Sequence, residues 1–158
     1  MNIKQSMFRP LMGCLLTVVW LTGCAESTKQ DENLAAQRAI EFARIVLVNK
    51  NFDQGYELLS DGGKRHISLG KFKETMARLH PRGFPATVTA KEYQPMPGEN
   101  ALWIYLNGEN PEMHYRVTME ATPSGDYKVL TIDSGAVGRM FSSSSDRKGL
   151  SKVFNTPP

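Results

Sequence analysis

The side chain with the most suggestive setting is the thiol of Cys24, which follows Leu21, Thr22 and Gly23. Thr22 and Gly23 carry little bulk, as an extended chain in a protease cleft requires. The only other thiol, Cys14, lies inside an apolar run. His66, His80 and His114 stand far apart, without the spacing that gathers imidazoles on a metal, and each reads as a surface or loop histidine. No Gly-x-Ser-x-Gly is present, and Gly62-Gly63-Lys64 lacks the spacing of a phosphate loop. No motif calls for a cofactor. What remains is an aromatic set, Tyr56, Tyr93, Trp103 and Tyr105, with Asp133 as a carboxylate. A carboxylate beside a phenol in an apolar cavity is equipped for proton transfer. Aromatics at strand spacing more often build a core, so no catalytic set is assigned and the chain reads as a non-enzyme.

The setting of Cys24 is the end of a signal. Lys4 and Arg9 precede the apolar residues Leu11 to Trp20, a run of 10. Crossing a bilayer takes about 20 apolar residues, so the run reads as the apolar region of a secretory signal. Leu21-Thr22-Gly23-Cys24 resembles the lipobox of bacterial lipoproteins at all four positions, and the resemblance covers residues 1–24. It implies a diacylglycerol on the Cys24 sulfur, cleavage between Gly23 and Cys24, and acylation of the new amino group. Two or more acyl chains anchor stably. Ala25 stands where an aspartate would resemble the inner-membrane retention signal. The resemblance therefore implies a cell-envelope location, at the outer membrane facing the periplasm.

Removing residues 1–23 leaves 135 residues, enough for one domain with a real core. It also leaves 17 basic against 16 acidic residues, a net charge of +1. Such a chain is not built to bind nucleic acid. With Cys14 removed and Cys24 acylated, no disulfide is available. Charge divides along the chain. From Lys64 to Lys91 there are seven basic residues against Glu74, and from Glu92 to Asp126 six acidic residues against Arg116. Lys71 and Lys73 mark the basic stretch as a possible face for a partner or an anionic membrane.

The elements that would carry these residues follow from periodicity. Residues 24–33 lack large apolar side chains and read as a lipidated tether. Asn33 or Asp31 can cap a helix whose stripe is Ala36, Ala39, Ile40, Ala43, Val46 and Leu47. Phe52, Tyr56 and Leu59 mark a second helix, ended by Ser60-Asp61-Gly62-Gly63. Ser68 can cap a third through Leu69, Phe72, Met76 and Leu79, stopped at His80-Pro81. The period then changes to alternation, predicting strands over 86–93, 101–107, 113–121 and 127–133. Leu102, Ile104 and Leu106 share one strand face; Trp103 and Tyr105 share the other. Residues 135–158, with serines at 142–145 and a Pro157-Pro158 end, read as a flexible tail.

Three helices followed by four antiparallel strands is an α+β plan. Over residues 34–134 the pattern resembles the NTF2-like, cystatin-like cone, in its long opening helix, its second helix from Asn51 to Leu59 and its late meander. The resemblance implies a concave sheet. From it we expect a non-enzymatic binding or accessory module, tethered by lipid and meeting an envelope protein partner. The alternative is a small-molecule binder, or an isomerase of the ketosteroid type, using a cavity lined by Tyr93, Trp103 and Tyr105.

Overall fold

The computed structural model describes residues 30–81, 83–110, 112–135 and 146–157; the lipobox and the serine run lie outside them. The fold is α+β: a layer of four α-helices against an open, five-stranded antiparallel sheet. Helix α1, Glu32–Ala43, begins at Asp31, whose carboxylate accepts the amides of Asn33 and Leu34 at 3.1 and 2.9 Å. Ala35, Ala36, Ala39 and Ala43 are buried with Phe42, so the helix meets the sheet along a stripe of small side chains. It continues into a π-helical turn, Arg44–Val48. The wider turn brings three consecutive side chains, Ile45, Val46 and Leu47, into the core. This is the segment that is apolar all round in the sequence.

Helices α2, Phe52–Glu57, and α4, Leu69–Leu79, start at Asn51 and Ser68, each accepting an amide from the first turn. Between them stands a helix that the sequence reading missed, α3, Asp61–His66. Ser60 caps it, accepting the Gly63 amide at 3.0 Å, and Lys64, Arg65 and His66 occupy its negative end. Its two glycines serve close packing, which is why they do not end the helix run here. A Cβ on Gly63 would stand 2.8 Å from the Leu130 carbonyl oxygen and 3.1 Å from that of Val129. Gly63→Ala should therefore destabilise by about 1–3 kcal/mol despite the better helix propensity of alanine. Chemical denaturation reads this directly, and a stabilised variant would contradict the packing role.

Strands β1 (Val88–Pro95), β2 (Ala101–Gly108), β3 (His114–Ala121) and β4 (Tyr127–Gly135) form the expected meander. The sheet order is β4-β3-β2-β1-β5. The fifth strand, β5, Lys148–Asn155, is a correction to the flexible-tail reading. It pairs antiparallel with β1, and Thr156 closes the pairing: its hydroxyl accepts the Val88 amide at 2.9 Å and its own amide donates to the Val88 carbonyl. Leu150 and Phe154 pack against the core. The register jumps from Ala90↔Phe154 to Glu92↔Gly149, so residues 150–153 bulge opposite Lys91. Such a bulge breaks the outer edge as a template for a further strand.

The core lies between the layers. Leu102, Ile104 and Leu106 of β2 meet Tyr115, Val117 and Met119 of β3, and Phe42, Leu47, Phe72 and Met76 fill the helical side. Side chains fill the space between the helices and the sheet at this level.

Candidate functional site

The aromatic residues singled out from the sequence do not share a cavity. Tyr56, on α2, packs its ring 6.0 Å from that of Phe72 and donates its hydroxyl to the Ile67 carbonyl at 3.1 Å. Tyr93 packs on the helix side, beside its register partner Ile104. Trp103 and Tyr105 lie on the opposite face, as strand alternation requires. Tyr105 is only 2% exposed. Its hydroxyl donates to Gln94 at 2.8 Å, and the Arg147 guanidinium lies 4.0 Å from its ring centre while pairing with Glu92. Arg116 stands 5.0 Å from the Trp103 ring centre and holds Asp133 at 3.0 Å. The cavity expected from Tyr93, Trp103 and Tyr105 together is thus replaced by two separate environments. On the outer one, arginines of the same chain cover the rings and engage the carboxylates.

The basic residues are also engaged. Lys71 pairs with Glu74 at 2.9 Å and Lys73 with Asp53 at 2.8 Å, both pairs largely exposed. Pairs of this kind contribute little stability, but they dilute the positive field of α4.

A different site is assembled where α4 ends. His80, at the C-cap of α4, turns inward toward the start of β3. His80 is 7% exposed, and its partner Tyr115 is 2% exposed. The imidazole stacks on Phe84 with ring centres 4.2 Å apart. Its Nδ1 stands 2.7 Å from the Met76 carbonyl and its Nε2 3.1 Å from the Tyr115 hydroxyl. A carbonyl only accepts, so Nδ1 carries the proton and donates. Nε2 then accepts from the Tyr115 hydroxyl. The surface reading of His80 is corrected by this geometry, whereas His66 and His114 are exposed.

The pair borders a cleft of about 490 Å³ between the end of α4, the β2–β3 connection and the end of β4. Leu79, Pro81 and Met113 give it apolar walls; Asn110, Glu112 and His114 give it polar ones. Burial lowers the His80 pKa from its ordinary value, opposed by the hydrogen bond to Met76. Burial, and then the Glu109 charge, push the Tyr115 phenol up to about 12. Both groups are neutral at pH 7. The Glu109 carboxylate accepts the Ala86 and Thr87 amides, which holds its pKa low. Smaller depressions of about 230 and 320 Å³ lie at the other end, beside Asp126 and beside Gly62.

The cleft therefore offers apolar walls and a polar rim, with His80 and Tyr115 in its lining. It suits a ligand or peptide side chain with an apolar body and a hydrogen-bond donor. No group of His, Asp or Glu among the described residues could hold a metal ion. The sequence carried a signal for this site, since alternation puts Tyr115 on the core face and His80 ends a helix. Their meeting is a tertiary fact that neither period contains.

Comparison of the chain with protein-family models, with curated proteins and with solved structures finds no match.

Proposed function

We propose that this chain is an envelope lipoprotein, anchored through Cys24, whose α+β domain is a non-enzymatic binding or accessory module with a protein partner. The observation that carries the reading is the order of basic residues, short apolar run and Leu21-Thr22-Gly23-Cys24. The Ala25 that follows favours the outer membrane, facing the periplasm. The cleft beside His80 and Tyr115 supports the binding part of this reading. Affiliation with the NTF2-like cone is supported by the long opening helix, the short α2 and the β1–β4 meander; β5 is an addition to that pattern.

The test is Cys24→Ser in the full chain. The variant should accumulate uncleaved, lose incorporation of labelled fatty acid, and leave the membrane fraction or persist only as precursor. Normal processing and labelling of Cys24→Ser would end the lipoprotein reading. For the partner, crosslinking from intact envelopes should lose its product when Met113→Glu places a charge in the cleft. A product indifferent to Met113→Glu would move the binding face elsewhere.

The small-molecule reading retains one observation: a buried, neutral phenol beside an imidazole at the mouth of the fold. It predicts that apolar phenols or sterols raise the melting temperature of wild type and not of Met113→Glu.

A further inference from the structure

The domain begins earlier than the sequence reading placed it. The Gln30 side-chain amide donates to the carbonyls of Glu99 and Ala101 at 3.2 and 3.3 Å. The next residue, Asp31, donates its amide to the Tyr127 hydroxyl at 3.0 Å, and Tyr127 is buried. The chain is therefore fixed to one end of the sheet from Gln30 onward. That end carries the β1–β2 turn and the β3–β4 turn. Strand direction puts the His80 cleft at the other end: β2 runs from Ala101 to Gly108, and β3 returns from His114.

Two lengths then decide the posture of an anchored domain. From Cys24 to Gln30 there are six Cα steps, which reach at most about 20 Å whatever conformation they take. The eight residues of β2 rise about 24 Å. An inverted domain, with its cleft against the bilayer, would need Gln30 at least that far above the surface. The tether is too short. Charge does not favour this posture, because Asp31, Glu32, Glu99 and Asp126 lie at the tethered end and Arg38 is already engaged by Asp126 and Glu41. Anionic headgroups repel that end, so the short tether alone holds it near the surface and it does not adhere.

We infer that the anchored domain stands with its β1–β2 and β3–β4 turns toward the membrane and presents the His80–Tyr115 cleft away from it, to a water-soluble partner and not to bilayer lipid. The inference rests on lipidation of Cys24, and its test separates the two. The lipidated chain is reconstituted in vesicles of phosphatidylethanolamine and phosphatidylglycerol that carry a headgroup spin label. A fluorophore is attached to a single added cysteine, at Asn100→Cys in the β1–β2 turn or at Ala86→Cys beside the cleft. Both positions are exposed. Quenching should be several-fold stronger at Asn100→Cys. Inserting about twelve Gly/Ser residues between Lys29 and Gln30 lengthens the reach by up to about 40 Å and should shrink the difference. Equal or reversed quenching with the native tether overturns the posture while vesicle flotation still reports the anchor. A chain that does not float, or a Cys24→Ser variant that floats equally well, ends the anchor and the posture together.

Discussion

Deleting residues 146–158 is expected to lower the melting temperature by about 10 °C or more. The deletion removes β5 from the edge of the sheet and uncovers Val88 and Ala90, both fully buried. Phe154 and Leu150 each bury part of a large apolar side chain, together on the order of 2–3 kcal/mol. The ladder to β1 and the two Thr156 bonds add about 0.5–1.5 kcal/mol each. Arg147 also leaves, which opens the covered ring of Tyr105 to water. A net loss of about 3–5 kcal/mol in a domain of this size corresponds to a shift of at least 10 °C. Phe154→Ala alone should reproduce about 1–2 kcal/mol of it. Circular dichroism melts of residues 25–158 and 25–145 make the comparison. A shift below about 3 °C would mean that β5 contributes nothing to the folded state.

That strand was illegible for a physical reason. Leu150, Val153 and Phe154 are spaced as on a helix because the bulge at residues 150–153 destroys the period of two. Val153 is left 53% exposed by the same bulge. Where the ladder is regular, as in β2 and β3, alternation reveals both the strand and its two faces. The helical layer divides in the same way. Asp31 and Ser68 announce their helices through local capping, whereas α3 hides behind Gly62 and Gly63, whose role is a close approach to β4. For the candidate site the limit is longer range. Alternation separates Trp103 and Tyr105 from Leu102 and Ile104, but it does not say that Arg116 and Arg147 cover those rings. Lys71 and Lys73 look like a basic face until Glu74 and Asp53 are placed beside them.

His80→Ala is expected to cost about 2–4 kcal/mol, the sum of a vacated ring site against Phe84 and two abandoned polar partners. His80→Phe should recover the stacking and leave the Met76 carbonyl and the Tyr115 hydroxyl unpaired, at about 1–2 kcal/mol. The pH profile distinguishes this pair from a merely apolar contact. Burial lowers the His80 pKa in the folded state, so below the ordinary value of 6.5 the unfolded chain takes up a proton that the folded chain refuses. Stability is then full above about pH 6.5 and falls as pH drops through that value toward the folded pKa. Tyr115 works at the other limit. Its phenol ionises near 10 when unfolded and near 12 when folded, so stability falls as pH rises between those values. The charged neighbour that strengthens the alkaline effect is Glu109, and Lys50 stands 5.5 Å from the Phe84 ring centre. Urea midpoints measured from about pH 5 to pH 11 should show both flanks in wild type. His80→Ala should flatten the acid flank and keep the alkaline one, and Tyr115→Phe should keep the acid flank and reduce the alkaline one, to which the phenols of Tyr93 and Tyr127, also raised by burial, contribute the remainder. An acid flank unchanged in His80→Ala would assign the proton uptake to another group. It would also remove the reason to regard the imidazole as neutral in the folded protein.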